Sequence, residues 1–161
     1  METTLRRLKD VKPADAPYAL ALVWSDGDKA VVDMTGVIHR SKAFEPLKDV
    51  DLFRQVEVIN WGDGIAWPNG LDFGGDSLDR LAQVQAVMNS KDFTRWQAEL
   101  GLSNQEAADL LGVSLNSIKN YRKTDRIPRA VQIACLTLRL DRTVVNALFK
   151  PRKSGRPPAA A

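Results

Sequence analysis

Hydrophobic and polar positions follow two different rhythms along this chain. Up to about residue 77 they alternate in short runs bounded by glycine, aspartate and proline. Beyond Asp76 they recur at steps of three and four. The first rhythm is that of strands, the second that of helices. RRLKDVKP is a short strand ended by Pro13. YALALVWSDGDKAVVDM holds two β-rich runs, Tyr18–Trp24 and Ala30–Met34, around Ser25-Asp26-Gly27-Asp28. An Asp-Gly between alternating runs predicts a hairpin, because glycine accepts the positive φ of such turns. VEVINWGDGIAW repeats the device, with Val56–Trp61, Gly62-Asp63-Gly64 and Ile65–Trp67, and Pro68, Asn69 and Gly70 close it. AFEPLKDVDLFRQ between the hairpins lacks alternation and predicts a short helix or turn. Its Phe44, Leu47, Leu52 and Phe53 are expected in the core.

From Ser77 the stripe Leu78, Leu81, Val84, Val87 and Met88 predicts a helix capped by Ser77 that joins the two halves. Five short helices are expected after it: Asp92–Leu100, Asn104–Leu111, Leu115–Lys123, Arg129–Leu140 and Thr143–Phe149. Each break has a local cause. Gly101 stops the first. Ser103 with Glu106 three residues on forms a capping box. Gly112 supplies a positive φ after the second, Ser114 caps the third, and Pro128 suits the first turn of the fourth. The turn of about three residues between the second and third helices sets them at a steep angle, as in a helix-turn-helix. Ala107 and Ala108 are small enough for a close crossing. Leu111, Val113 and Ile118 are expected to hold the pair together, with Leu110 and Tyr121 as further partners.

Composition narrows the classes. With 161 residues and 44% hydrophobic content the chain can bury a core. No apolar run approaches the roughly 18 residues of a membrane span, and the N-terminus is not followed by the apolar block of a secretory signal. One cysteine, Cys135 in VQIACLTLRL, allows no internal disulfide and is expected as a reduced core thiol in a cytoplasmic protein. The net charge of +3 conceals an asymmetry. Residues 1–90 carry ten Lys and Arg against fourteen Asp and Glu, a net −4. Residues 91–161 carry thirteen against six, a net +7. A basic half is what a phosphate backbone attracts.

Candidate chemistry in the first half is slight. GDGIAWPNGLDFGG lacks the spacing of a phosphate loop or a calcium-binding loop, and hairpin turns explain it. Trp24, Trp61 and Trp67 fit a core better than an aromatic pocket. His39 is alone, so neither a zinc site nor a nucleophile–base pair is expected, and no enzyme. The third of the five helices is more informative. Its polar residues Asn116, Ser117, Lys119, Asn120 and Lys123 include no acid from Ser114 to Thr124, whereas a merely solvated helix more often pairs Glu with Lys. Asn and Ser hydrogen-bond base edges, and Lys reaches guanine or phosphate. Asn104 and Gln105 open the second helix, where free N–H groups and side-chain amides meet a phosphate.

WQAELGLSNQEAADLLGVSLNSIKNYRKTDRIPRAV resembles the helix-turn-helix domain of the Cro/C1 (phage repressor, XRE-like) family, over roughly Phe93 to Phe149. The resemblance implies base readout by Ser114, Leu115, Asn116, Lys119 and Asn120, and a phosphate contact at Asn104, where the family commonly has glutamine. Leu115 departs from the pattern, standing where many members have a polar reader, and suits an apolar contact such as a thymine methyl. The first half, in YALALVWSDGDKAVVDM, AFEPLKDVDLF and GIAWPNGLD, is similar to a small bacterial domain family of unknown function. Stand-alone members of that family are associated with RelE-like toxins, so this resemblance implies an α+β fold and an antitoxin role as an alternative. The tail PRKSGRPPAAA is expected to be disordered and basic. Gly-Arg-Pro around Arg156, with Arg152 and Lys153 before it, is loosely similar to an AT-hook, though Ser154 interrupts the basic core.

The expected fold is therefore α+β. A small domain of two β-hairpins with a short helix (1–77) leads through a linking helix (78–90) to an all-α, five-helix lambda-repressor-like helix-turn-helix domain (91–150) and the tail (151–161). The expected function is a cytoplasmic, homodimeric DNA-binding repressor without a cofactor, its partners double-stranded DNA and, at the first domain, a toxin or other protein. The expected DNA-binding residues are Asn104, Gln105, Ser114, Leu115, Asn116, Ser117, Lys119, Asn120, Lys123 and Arg126.

Overall fold

The computed structural model describes residues 6–152; the tail segment with Lys153, Ser154 and Arg156 lies outside the described residues. The fold is mixed α+β, and the chain divides into two compact units, Met1–Ala86 and Val87–Ala161.

Two three-stranded antiparallel sheets build the first unit. β1 (Leu8–Pro13), β2 (Ala19–Trp24) and β3 (Lys29–Asp33) run in chain order, as do β4 (Glu57–Ile59), β5 (Gly64–Ala66) and β6 (Asp72–Gly74). Each expected hairpin thus carries a third strand. β1 joins β2, with Val11 opposite Leu22, and the short β6 joins β5, with Phe73 opposite Ile65. Alternation on β2 is as read: Leu20, Leu22 and Trp24 are buried and Ala21 and Val23 only half so. Each fully buried leucine contributes about 1.5–3 kcal/mol by leaving water. Between the sheets lie α1 (Thr35–Arg40), a 3-10 stretch at Lys42–Lys48 and α2 (Val50–Phe53), whose first turn is capped by Asp49. Leu47 and Phe53 are fully buried and Phe44 and Leu52 pack against the same core, as expected. Arg6 gathers Asp26, Asp28 and Asp79 and stands over the Trp24 ring.

The expected linking helix is corrected. α3 spans Gly75–Gln85, is capped by Gly74 instead of Ser77, and belongs to the first unit. Leu78 is fully buried there, with Leu81 and Ala82 beside it. The Gln85 amide ties the helix end to β3, accepting from Asp33 N at 2.8 Å and donating to Asp33 O at 2.8 Å. Val84, in the last turn of α3, and Val87, past its end, are exposed, while Met88 is buried in the other core.

The second unit holds α4 (Ser90–Glu99), α5 (Asn104–Leu111), α6 (Leu115–Tyr121), α7 (Arg129–Leu140) and α8 (Arg142–Leu148). α4 starts two residues earlier than expected because Asn89 and Asp92 form a capping box. α6 ends two residues sooner, its last turn tightening as Lys123 N bonds Asn120 O at 2.9 Å. Phe93, Trp96, Ala107, Ala108, Ile118, Ile127, Cys135 and Leu138 form the core. Burial pushes the Cys135 thiol up to about 12, so it stays protonated and inert at neutral pH. Among the described residues no helix is long and apolar enough to cross a membrane.

Candidate nucleic-acid interface

α5, the turn after it and α6 form the candidate surface. Ser103 Oγ accepts from Glu106 N at 3.1 Å, and the Glu106 carboxylate accepts from Ser103 N at 2.8 Å, so the capping box is closed. That bond holds the Glu106 carboxyl below its usual range. Gly112 follows α5 in the left-handed region, at φ 68 and ψ 33, and Val113 N returns to Ala108 O at 3.0 Å. Ser114 then caps α6 by accepting from Ser117 N. The pair packs through Ala107, Ala108 and Ile118, all at most 1% exposed, and Leu110 is buried. Leu111 and Val113, expected as central contacts, are only half-buried. Tyr121 rests edge-on against Phe93.

With Ile118 inward, Asn116, Lys119, Asn120 and Lys123 are exposed, and so is Leu115 at the start of α6. Ser114 and Ser117 are less free, because their hydroxyls lie 2.9 Å apart and bond each other. Lys123 and Arg126 sit beyond the end of α6, in the turn where Thr124 Oγ1 bonds both the N and the O of Arg126. At the start of α5 the Gln105 amide donates along the helix to Asp109. Asp109, also on α5, is bound by Arg152 at 2.6 and 2.8 Å, which holds its carboxyl below the usual range.

Two residues not anticipated from sequence, Gln97 and Arg122, adjoin this surface. Gln97 of α4 is only 5% exposed. Its Nε2 donates to Asn104 Oδ1 at 2.9 Å, and its Oε1 accepts from Arg122 Nη1 at 2.7 Å. The signal for it was present: Gln97 occupies the four-residue step after Phe93, a slot reserved for apolar side chains on an amphipathic helix. In the first unit, Trp24 and Trp67 are core residues, but Trp61 is 94% exposed, at φ 53 between Asn60 at φ 50 and Gly62 at φ 98. The strand expected to run to Trp61 ends at Ile59. His39 is held within α1 through Thr35 O and contacts the Tyr18 ring.

Residues 8–83 match the model of a family described as a protein of unknown function (DUF2442). The match covers both sheets and most of α3, so the first unit is similar to that family through nearly its full length. No curated protein matches the chain. A solved structure from Nitrosomonas europaea, provisionally described as a DNA-binding protein, is 27% identical, covers 96% of this chain and 94% of its own, and superposes with a TM-score of 0.47.

Proposed function

We propose that the chain is a sequence-specific, double-stranded-DNA-binding transcriptional regulator acting as a cytoplasmic repressor. The second unit serves as a lambda-repressor-like helix-turn-helix, with α6 in the major groove and the start of α5 on the phosphates. One observation carries the reading: α6 is fixed by Ile118 and Tyr121 on one side and presents exposed Asn116, Lys119 and Asn120 on the other, with no acid between Ser114 and Thr124. Such a face offers amide pairs to adenine and cations to guanine or phosphate. A homodimer would set two α6 helices about 34 Å apart, matching successive major grooves of a palindromic site. Binding there represses by obstructing polymerase; no catalytic step is assigned.

Footprinting of genomic fragments with the purified chain tests this. The expected result is a small set of inverted-repeat sites protected well above bulk DNA, by a species that light scattering sizes as a dimer. Equal protection of every sequence at physiological salt would refute it.

A second role, antitoxin, is favoured by Trp61. An exposed tryptophan on a backbone of three successive positive φ values is the type of side chain that anchors protein interfaces. Co-purification with the product of a neighbouring small gene, lost in Trp61→Ser, supports that role; co-purification unaffected by the substitution removes Trp61 from it.

A further inference from the structure

We propose that Gln97 is a positioning residue of the DNA interface, which holds Asn104 and Arg122 as a pre-set pair of phosphate donors. The inference rests on the reading of the second unit as DNA-binding and adds Arg122 to its phosphate contacts, with Gln97 as the residue that positions them.

The Gln97 amide has every group engaged. Nε2 donates one hydrogen to Leu102 O at 3.0 Å and the other to Asn104 Oδ1 at 2.9 Å, while Oε1 accepts from Arg122 Nη1 at 2.7 Å. Rotating the amide by half a turn would set its NH2 against a guanidinium and its oxygen against two acceptors, so all three bonds would be lost together. One orientation is therefore locked, in a side chain only 5% exposed.

That lock has a different consequence for each partner. Asn104 Oδ1 is committed as an acceptor, so the asparagine's own NH2 is turned away from Gln97. It is presented at the first residue of α5, where the helix end favours an anion. Arg122 is held by a neutral amide. A carboxylate in that place would orient the guanidinium but cancel its charge; an amide oxygen orients it and leaves the charge for an outside anion. Arg122 also lines an open cleft of about 370 Å³ with Ser90, Lys91, Thr94, Arg95 and Ala98. Of the two further cations there, Arg95 is loosely paired with Asp92 at 3.6 Å. Phosphodiester oxygens suit both ends of this network, and because phosphates carry no sequence, the effect of Gln97 should be blind to sequence.

The test measures affinity and salt dependence of the full chain on a duplex selected by footprinting and on an unrelated duplex. Gln97→Met keeps the buried volume and removes the three bonds. The expected result is a loss of about tenfold on both duplexes alike, since each loosened side chain must be re-ordered on binding. The slope of log affinity against log salt should fall by up to about 0.9, the share of the one cation, Arg122. Gln97→Glu, which still accepts from Arg122 but neutralises its charge and can donate to neither Leu102 nor Asn104, should lose at least as much as Gln97→Met. Unchanged affinity, a loss with an unchanged salt slope, or a loss confined to one duplex overturns the inference. If Gln97→Met does not fold, Asn104→Ala, Arg122→Met and the double variant carry the test. Their effects should be non-additive, because removing either partner frees the amide that holds the other; strict additivity overturns the proposal. Wild type that binds no duplex removes the DNA reading itself and this inference with it, whereas wild type that binds with additive effects removes the inference alone.

Discussion

Replacing Gly112 with alanine isolates the conformational cost of the turn between α5 and α6. Gly112 has φ 68 and ψ 33, and a Cβ built there meets nothing within 4 Å. Steric clash therefore contributes nothing, and only the backbone term remains. A non-glycine residue in the left-handed region costs about 1–2 kcal/mol. Roughly 0.4–1 kcal/mol of that is offset because alanine restricts the unfolded chain more than glycine does. The net expectation for Gly112→Ala is a loss of about 1 kcal/mol. Asparagine tolerates this conformation better, so Gly112→Asn should lose less. Thermal unfolding followed at 222 nm reads mainly the helical second unit, and about 1 kcal/mol lowers the Tm of a unit this size by about 4–8 °C. Below the transition the alanine variant should keep its sequence preference on DNA, since no side chain of the reading face has changed. A loss above about 3 kcal/mol would mean that the turn is coupled to packing that open space does not reveal. No loss, or asparagine costing more than alanine, would refute the left-handed assignment.

Gly62→Ala should be far more damaging, at about 3 kcal/mol or more. It adds strain at φ 98 to a Cβ that would run into the Leu8 backbone carbonyl, and a urea titration of the full chain reads the loss. Asn120→Ala should relax preference at one operator position at a cost of about 1–3 kcal/mol, scored by binding to a set of single-base variants; unchanged discrimination at every position removes Asn120 from the readers. Lys119→Ala and Lys123→Ala should each reduce the salt slope by about 0.9 where the lysine meets a phosphate, and an unaltered slope strikes that lysine from the contacts. For Cys135 the folded value lies above the ordinary one, so its stabilising contribution is complete below about pH 9 and is lost as pH rises towards about 12. The fall in urea midpoint over that interval should be smaller in Cys135→Ala, and the native thiol should resist alkylation at neutral pH until the chain is unfolded.

What could be read from sequence was what is local. The Ser103–Glu106 box, the positive φ at Gly112 and the Ser114 cap each depend on residues within four positions, and the structure contains all three. Boundaries set by distant partners were not legible. α3 stops at Gln85, where Ala86 turns extended and the Gln85 amide is tied to Asp33, 52 residues away, and no periodicity within the stripe marks the stop. The turn at Asn60–Gly62 has a similar origin. Gly62 lies against the backbone of Leu8, and Arg7 binds Trp61 O and Asp63, so the chain turns before Trp61 can enter the core. The role of Gln97 is not legible in sequence for a related reason: a polar residue in an apolar slot acquires meaning only with Asn104 and Arg122 beside it.

The structure also narrows the face that would read DNA. Ser114 and Ser117 satisfy each other and the α6 cap, so engaging a base would cost the bonds that start the helix. Arg126 lies in the turn beyond α6, a place better matched to phosphate than to a base edge. On the proposed reading, discrimination in the major groove would then fall to Leu115, Asn116, Lys119 and Asn120. Leu115 bears most directly on the choice between a reading helix and a merely solvated one. It is 36% exposed at the first position of α6, so about a third of its surface stays in water in the free protein. Against a thymine methyl that part of the side chain would leave water, so Leu115 fits the proposed readout as an apolar contact among amide and cationic ones.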